Sequence, residues 1–332
     1  MYSLKSYNTF NIDVQTPDFI CINTIDELKN TLKRYKDTDF LVLGGGSNVL
    51  LTKNLNIPTI HINTKGINII QKDKDYVYVE VQAGEVWHDF VLWALENDFG
   101  GIENLSLIPG RIGASPIQNI GAYGVEIKDV FHSCIAINKH TLELRTFNID
   151  DCKFGYRESI FKNEEKNKYI ILAVTYKLTH HNHQLKINYG DIKQELIKHN
   201  ITTPSIKDIS NAVIAIRSGK LPNPKHLGSG GSFFKNPIIP MALFEKIKAL
   251  YPEIPSYQIS ELEVKVPAGW LIEKAGFKGY RIGDAGVHQQ QALVLVNYGN
   301  ARGEEIVNLS KKIQQKILDM FGITIEPEIN IL

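Results

Sequence analysis

The sequence predicts an α+β protein of two parts, the larger one N-terminal. The 332 residues are enough for two hydrophobic cores. Strands with a few helices fill the first two-thirds of the chain, whereas proline and glycine interrupt the segments that follow residue 220. We expect one domain over 1–200, with subdomains at 1–65 and 66–200. A smaller domain is expected over 205–305, followed by a C-terminal helix and strand over 306–332.

The elements of the first part follow from hydrophobic periodicity. Tyr76–Val81 alternates, with three valines on one face, and predicts a half-buried strand. Apolar residues at helical spacing predict a helix from Glu85 to Asn97, which Gly100 and Gly101 close. Ser205 and Asp208 form a capping box that opens a later helix. The predicted strands are 40–43, 76–81, 131–137, 142–147 and 169–178, and the predicted helices are 85–97, 191–199 and 205–219.

The second part contains one strong helical signal. Ile306, Leu309, Ile313 and Ile317 recur at helical spacing over 302–321, and Gly322 supplies a stop. A shorter helix is expected near 240–250 and a strand near 292–296. The last ten residues, 323–332, alternate sufficiently to predict a terminal strand.

Composition limits the class of protein. A formal net charge of +1 gives no general attraction for nucleic acid or an acidic membrane. No apolar run approaches the ~18 residues that cross a bilayer, and the N-terminus lacks the apolar core of a signal peptide. The three cysteines have no paired spacing, so neither a disulfide framework nor a zinc site is expected. His180, His181 and His183 lack a carboxylate or cysteine at ligand spacing, so we expect no metal site. The lack of a membrane span, a signal peptide and paired cysteines predicts a cytoplasmic location.

Two glycine-rich loops have the composition of a phosphate-binding backbone. Gly44-Gly45-Gly46-Ser47-Asn48 follows a strand, but Val49 replaces the third glycine of a dinucleotide-binding fingerprint. Ile108–Gly124 contains four glycines and two prolines among apolar residues. Buried backbone in such a loop needs partners, which a planar polar cofactor would supply. A tight strand connection remains an alternative for the first loop.

Three polar residues lie in segments that suit proton or charge chemistry. Ser232 ends the run Gly228-Ser229-Gly230-Gly231 and precedes two phenylalanines, which would shield a ligand from water. Arg157 stands between Tyr156 and Glu158, as either a surface ion pair or an anion anchor. Glu328 lies in the apolar terminal strand, where burial would raise its pKa. A glycine-rich surface loop and an outward-facing carboxylate are the alternatives for Ser232 and Glu328.

Taken in order, these segments resemble the UDP-N-acetylenolpyruvoylglucosamine reductases, the MurB flavoenzymes. Single motifs are weak, but their order and spacing over some 320 residues are specific. The matching pieces are Asn8-Thr9-Phe10, Leu43–Asn48, Ile108–Tyr123, Gly155–Phe161, Ser218–Pro222, Gly231–Pro237, Ala268–Glu273 and Glu326–Glu328.

The resemblance implies an FAD-binding domain of the vanillyl-alcohol-oxidase (PCMH) type with a smaller α+β substrate-binding domain. FAD would be bound non-covalently, and NADPH would donate the hydride that reaches the terminal carbon of the enolpyruvyl group. The implied FAD-binding residues are Gly44, Gly45, Gly46, Ser47, Asn48, Pro109, Gly110, Ser115, Pro116, Gly121, Ala122, Tyr123 and Gly124.

The resemblance also implies the catalytic and substrate-binding residues. Ser232 would protonate the carbon next to the one that accepts hydride, while Arg157 and Glu328 would stabilise the enolate. Tyr189 matches the tyrosine that closes over the uridine diphosphate in the first subtype of the family. Further substrate contacts are implied at Lys220, Asn236, Tyr257, Lys278 and Gln291. We expect a monomer that acts on a UDP-sugar and binds neither nucleic acid nor membrane.

The C-terminus departs from the family pattern. Many members have an arginine two residues beyond the catalytic glutamate, where this chain has Asn330. Strand alternation places Glu326 and Glu328 on the same face, so the register leaves open which of them acts. A flavin oxidase of the same fold and a non-catalytic UDP-sugar binding protein are the alternative functions.

Overall fold

The computed structural model describes all 332 residues. The α-helices are α1 Ile25–Arg34, α2 Trp87–Glu96, α3 Ile149–Cys152, α4 Ile192–Lys198, α5 Ile206–Lys220, α6 Met241–Leu250, α7 Ala268–Lys274 and α8 Gly303–Phe321. The strands are β1 Tyr2–Ser3, β2 Gln15–Thr16, β3 Phe19–Ile22, β4 Leu41–Leu43, β5 Val49–Leu50, β6 Thr59–Ile62, β7 Ile67–Lys72, β8 Tyr76–Gln82, β9 Gly121–Ala122, β10 Val125–Glu126, β11 Phe131–Asn138, β12 Leu144–Asn148, β13 Tyr169–Thr179, β14 Gly228–Ser232, β15 Ile238–Pro240, β16 Tyr257–Gln258, β17 Glu263–Lys265, β18 Arg281–Ile282, β19 Ala285–Val287, β20 Val294–Asn297 and β21 Asn330–Ile331.

The chain divides into two compact units, both of which are discontinuous in sequence. The terminal unit comprises Met1–Gln15, Gly46–Leu55 and Lys220–Leu332, and the central unit comprises Thr16–Gly45 and Asn56–Gly219. The predicted bounds differ, since they placed the first 200 residues in one domain. Contacts that are remote in sequence draw 1–15 and 46–55 to the C-terminal part, and local periodicity carries no signal for such contacts.

The central unit is built on a five-stranded antiparallel sheet in the order β12-β11-β13-β8-β7. Seven successive residues of β13, Ile170–Tyr176, are buried, as expected of a strand covered on both faces. Ile170 and Leu172 join the core that contains helix α1, whereas Val174 and Tyr176 join the core that contains α2. The sheet therefore separates two hydrophobic layers. A three-stranded parallel sheet, β3-β6-β4, lies on the α1 side.

Local signals determine where several of these elements begin and end. Thr24 and Glu27 form a reciprocal capping box at the start of α1. The predicted capping box at Ser205 is confirmed, because Asp208 N donates to Ser205 Oγ at 3.3 Å and Ser205 N donates to Asp208 Oδ2 at 2.8 Å. Val77, Val79 and Val81 of β8 are fully buried, as their alternation predicts.

The terminal unit contains a four-stranded antiparallel sheet, β14-β20-β19-β18, and a three-stranded one, β15-β17-β16. Helix α8 buries Ile306, Leu309, Ile313 and Ile317, and Gly322 ends it at φ 66°. The predicted terminal strand over 323–332 is wrong in extent, since only Asn330–Ile331 is a strand, paired in parallel with β5. Earlier in this segment, Pro327 forms only an isolated antiparallel bridge with Phe234. No helix in the chain is both long and apolar enough to span a membrane.

Candidate active site

Two of the predicted glycine loops meet within the central unit. Gly44 and Gly45 follow β4, and a Cβ added to Gly45 would lie 3.0 Å from the Gly110 Cα atom. Arg111 packs against Gly44 and donates a hydrogen bond from Nη1 to the Gly84 carbonyl. The backbone N–H groups of Gly44 and Gly45 have no backbone acceptor in the chain. Glycine therefore lets the two loops lie this close together. The backbone N–H groups of Gly44 and Gly45 are available as donors to an anionic ligand.

The loop that contains Ser115 is anchored on the central strand β13. Ser115 is 1% exposed, and its hydroxyl lies 2.7 Å from the Tyr176 hydroxyl. Burial raises the pKa of Tyr176, so its hydroxyl keeps its proton and can donate this bond. The neighbouring Pro116 is buried too, whereas Pro109 is exposed. Ser115 thus holds the loop in place, and the expected contact with FAD stays a prediction.

Arg157 occupies a strained turn. Its φ of 55° lies in the left-handed region, which a non-glycine residue seldom adopts. Gly155 and Glu158 exchange backbone hydrogen bonds around it, and Arg157 Nη2 donates to the Gly121 carbonyl at 2.7 Å. A Cβ added to Gly121 would lie 3.2 Å from Arg157 Nη1. The β9–β10 hairpin and the turn therefore fix this guanidinium together.

A buried asparagine links that hairpin to the turn. Asn119 is 0% exposed, and its Nδ2 donates to Glu126 Oε2 at 3.1 Å and to the Gly155 carbonyl at 3.0 Å. Its Oδ1 accepts from Lys128 N at 3.0 Å. In the sequence, the only signal for Asn119 is its position inside the glycine-rich loop.

A second arginine, also missed, lies near Arg157. Arg217 projects from α5, and burial lowers the pKa of its guanidinium. Tyr123 opposes this effect electrostatically, whereas Arg157 reinforces it. The Nε atom of Arg217 is buried and has no hydrogen-bond partner. Two guanidinium groups at one place, one of them desolvated, favour a bound anion.

Tyr189 lies on an irregular segment of the central unit, between β13 and α4, and is 50% exposed. A Cβ added to Gly124 would lie 3.3 Å from Tyr189 Cβ, and one added to Gly190 would lie 3.6 Å from the Tyr123 ring. The two tyrosine-bearing segments are therefore packed against each other. Gly124 and Gly190 both have positive φ, at 79° and 61°, which permits the close approach.

In the terminal unit, the rest of the first glycine loop joins the C-terminal segment. Gly46 has φ 58°, and an added Cβ would lie 2.0 Å from the Tyr7 carbonyl oxygen. The carbonyl of Asn48 accepts from Asn330 N at 3.1 Å and from Asn330 Nδ2 at 3.0 Å. Ser47 lies between them and is half-buried. Asn330, the departure from the family pattern, therefore holds the glycine loop with its side-chain amide.

Ser232 ends strand β14 just after a β-bulge. Ser229 pairs with Val296 and Ser232 with Val294, so three steps on β14 oppose two on β20. Gly231 lies in the bulge at φ 76°, with nothing within 4 Å of a would-be Cβ. Bulges redirect side chains, and Ser232 is exposed although Phe233 and Phe234 after it are buried at 0% and 1%.

The two phenylalanines that follow Ser232 belong to the hydrophobic core. Phe233 packs edge-on to Phe234 at 5.0 Å between ring centroids and to Phe10 at 6.5 Å. Both rings are therefore core residues, and the expectation that they exclude water from a ligand stays a prediction. They anchor the strand from which the serine hydroxyl projects.

Glu328 lies alongside the residues that follow Ser232. Its N–H donates to the Phe233 carbonyl at 2.8 Å, and its own carbonyl accepts from Asn48 Nδ2 at 3.4 Å. Lys235 N donates to the Glu326 carbonyl at 2.9 Å, which places Glu326 further from Ser232 along the pairing. Glu326 is exposed and Glu328 is half-buried. Of the two carboxylates, the pairing brings Glu328 nearer to Ser232.

Three of the predicted substrate residues surround helix α7. Asn236 Oδ1 accepts from Ala268 N at 2.9 Å and so caps the helix. A Cβ added to Gly269 would lie 3.3 Å from Gln291 Oε1, and Lys278 Nζ pairs with Glu273 Oε1 at 2.9 Å. Tyr257 lies apart, on β16, and is 50% exposed. Lys220, the last residue of α5, is exposed.

Comparison with known proteins identifies the family. The chain is 59% identical over 331 residues to the UDP-N-acetylenolpyruvoylglucosamine reductase of Flavobacterium johnsoniae, covering 100% of this chain and 98% of that protein. The chain belongs to the UDP-N-acetylenolpyruvoylglucosamine reductase family. The reductase of Pseudomonas aeruginosa strain PAO1 is 44% identical, with 99% and 97% of the two chains covered. A sequence model of the reductases' C-terminal domain matches residues 223–332, and one of an FAD-binding domain matches 18–139.

A solved structure supports the fold. The crystal structure of the MurB reductase from Thermus caldophilus aligns with a TM-score of 0.69 at 22% identity, covering 99% of this chain and 97% of that one. The predicted fold class, an FAD-binding domain of the vanillyl-alcohol-oxidase type with a second α+β domain, is confirmed. The chain is therefore an FAD-containing oxidoreductase of this reductase family.

The residues present fit FAD. A Cβ atom added to Gly45 would crowd Gly110, and the backbone N–H groups of Gly44 and Gly45 have no backbone acceptors. A pyrophosphate requires such donors. The buried guanidinium of Arg217 adds positive charge in the same unit.

Proposed function

We propose that this chain reduces UDP-N-acetylglucosamine enolpyruvate to UDP-N-acetylmuramate in peptidoglycan precursor synthesis, with NADPH as the hydride donor. Identity to the named reductases over the full chain supports this proposal. The local observation that carries it is the serine hydroxyl projecting from a glycine bulge beside the Glu328 segment. A pure binding protein does not require that arrangement.

We assign non-covalent FAD to the residues of the two glycine loops. They are Gly44, Gly45, Gly46, Ser47, Asn48, Pro109, Gly110, Ser115, Pro116, Gly121, Ala122, Tyr123 and Gly124. FAD held by these residues would supply a two-electron carrier between NADPH and the terminal carbon of the enolpyruvyl double bond. The protein has to bind both partners, hold the carboxylate of the substrate and supply one proton.

Ser232 supplies that proton to the carbon adjacent to the carboxylate. A serine hydroxyl is a weak acid, so the transfer requires a fixed hydroxyl and a strongly basic acceptor. The buried rings of Phe233 and Phe234 fix the strand, and the bulge at Gly231 directs the hydroxyl away from them. The enolate formed by hydride addition is the strongly basic acceptor. Proton transfer to it completes the reduction.

Arg157 and Glu328 stabilise the enolate as it forms. The guanidinium of Arg157 provides two or more donors in a fixed fork, which matches a carboxylate. Its left-handed backbone and its bond to the Gly121 carbonyl hold that fork before the substrate binds. Glu328 contributes by donating a hydrogen bond, which requires that its carboxyl group carry a proton, since a bare carboxylate would repel the enolate.

The remaining contacts bind the UDP-sugar. We assign Tyr189 to the uridine diphosphate, and we assign Lys220, Asn236, Tyr257, Lys278 and Gln291 to phosphate and sugar groups. The exposed positions of Tyr189, Lys220, Tyr257 and Lys278 suit these roles. We also propose that the protein is a cytoplasmic monomer without a nucleic-acid or membrane partner, in keeping with its net charge of +1.

The visible absorption spectrum of the purified protein tests the proposal. We expect a flavin spectrum that bleaches with NADPH under anaerobic conditions and recovers when the enolpyruvyl UDP-sugar is added. Recovery only with oxygen would favour an oxidase of the same fold. A colourless protein that takes up no FAD would refute the proposal.

Substitution of Ser232 separates the two half-reactions. We expect Ser232→Ala to keep the rate of flavin reduction by NADPH and to slow sugar reduction by at least ~10²-fold, the usual contribution of a general acid. Stopped-flow absorbance measures both rates on one sample. An equal loss in both would show that Ser232 is structural.

A further inference from the structure

Asn104 is a fully buried amide that joins two irregular segments of the central unit. It lies in the 3-10 turn Glu103–Leu105 and is 0% exposed. Its Nδ2 donates to the Tyr123 carbonyl at 2.9 Å and to the Lys186 carbonyl at 2.8 Å. Neither carbonyl belongs to a strand or helix, so a side chain has to satisfy them.

The two N–H donors of the Asn104 side chain explain why an amide occupies this position, whereas its oxygen acceptor does not. The Oδ1 atom of Asn104 is buried and has no hydrogen-bond partner in the protein. A buried polar atom without a partner is costly. An apolar residue of similar size would avoid that cost but would leave two carbonyls unsatisfied. What asparagine contributes here is therefore the pair of N–H groups on Nδ2, which fixes two backbone segments relative to each other.

These two segments carry the tyrosines at 123 and 189. Lys186 precedes Tyr189 by three residues, and Tyr123 is itself one of the bonded residues. Further out, Gly124 packs on Tyr189 and Gly190 packs on the Tyr123 ring. The amide of Asn104 thus ties the two segments together next to the contact that the tyrosines and glycines make.

We propose that Asn104 is a positioning residue for the tyrosine loop, which we define as residues 187–190. By holding the Lys186 carbonyl against the Tyr123 segment, it fixes the point from which the loop extends and so presents Tyr189 to the uridine diphosphate. Because Asn104 is fully buried, it acts through the loop and not by touching the substrate. The proposal rests on the proposed function, which assigns Tyr189 to substrate binding.

Trypsin tests the anchoring without reference to activity. The bond between Lys186 and Ile187 follows the carbonyl that Asn104 binds, and the Lys186 side chain is 51% exposed. In Asn104→Leu, local opening at this bond should increase, and nicking after Lys186 should accelerate about tenfold. Mass spectrometry of the fragments identifies the site. Unchanged nicking after Lys186 would overturn the proposal.

Ser210→Ala is the matched control. Ser210 is 1% exposed, and its hydroxyl lies 2.7 Å from that of Ser106, so it also ties this part of the chain to a helix. The substitution removes a buried hydrogen bond near Asn104 without touching Tyr123 or Lys186. We expect no change in nicking after Lys186. If Asn104→Leu does not accumulate as folded protein, Asn104→Ala removes the same donors with less steric demand.

Steady-state kinetics tests the link to the substrate. We expect Asn104→Leu to raise KM for the enolpyruvyl UDP-sugar about tenfold while flavin reduction by NADPH keeps its rate. Faster nicking without a change in this KM would overturn the proposal, since the loop would then be anchored without serving the substrate. Failure of the unaltered protein to reduce the sugar would instead refute the proposed function, and the nicking assay distinguishes the two failures.

Discussion

Alanine substitutions at Gly228 and Gly231, two glycines of β14, should affect stability and activity differently. A Cβ on Gly228 would lie 2.3 Å from the Phe10 carbonyl oxygen, which also accepts from Asn297 Nδ2 at 2.8 Å. Gly228→Ala therefore forces the strand away from a backbone atom, at ~3 kcal/mol, and disrupts a buried hydrogen bond of ~1 kcal/mol. Gly231→Ala meets no atom within 4 Å and has only the strain of φ 76°, ~1–2 kcal/mol.

Thermal unfolding and the two half-reactions measure these effects. Gly228→Ala should lower Tm more than Gly231→Ala, by ~4–12 °C, since their costs differ by ~2–3 kcal/mol and 1 kcal/mol corresponds to ~2–4 °C in a protein of roughly this size. Gly231→Ala should instead slow sugar reduction, because relaxation of φ at the bulge redirects Ser232. Flavin reduction by NADPH should be unaffected in Gly231→Ala. Equal Tm values for the two variants would refute the argument from the Phe10 carbonyl, and full sugar reduction in Gly231→Ala would refute the role of the bulge.

Two further predictions concern the central unit. Burial raises the pKa of Glu103 above its ordinary value of 4.5. The folded state therefore binds this proton more tightly than the unfolded chain does. As the pH rises from 4.5 through the raised pKa, the protein loses that stability. Glu103→Gln should remove this decline and raise the free energy of unfolding at pH 8, by ~1.4 kcal/mol for each pH unit by which the Glu103 pKa is raised. Denaturant titrations at pH 5 and pH 8 measure this. If the variant loses as much stability between these pH values as the unaltered protein, the prediction is wrong. Arg157→Lys keeps the charge but loses the fork that binds the Gly121 carbonyl, so sugar reduction should fall roughly 10²-fold while NADPH oxidation by the flavin is retained. Stopped-flow rates equal to those of the native chain would show that charge alone suffices.

The elements of this fold were largely predictable from local patterns. The alternation at Tyr76–Val81, the capping box at Ser205 and the helical spacing before Gly322 each depend on neighbours within a few turns. The terminal strand was overestimated because alternation indicates which side chains are buried, and not whether another strand lies alongside to pair with. This segment pairs only at the Phe234–Pro327 bridge and at Asn330–Ile331. The division into units was also beyond local patterns, since residues 46–55 belong with the C-terminal part.

The residues of the candidate site were proposed from the sequence, whereas their surroundings could not be predicted from it. The order of the motifs indicated the reductase family, and the comparisons confirm it. The sequence alone could not show that Ser115 bonds to the buried Tyr176, that Asn330 binds the glycine loop, or that Phe233 and Phe234 belong to the core. Each of these depends on a partner in a remote part of the chain or on three-dimensional burial.

The sequence by itself determined which chemical groups this protein possesses and most of its local structure, because these depend on residue type and short-range spacing. Only the tertiary structure decided that the backbone of Glu328, and not that of Glu326, pairs next to Ser232, and that Arg217 interacts electrostatically with Arg157. It also decided that Asn104 ties the Tyr123 and Tyr189 segments. The physical reason is that a hydrogen bond or a pKa shift depends on distance and burial in space, and residues far apart in sequence create both.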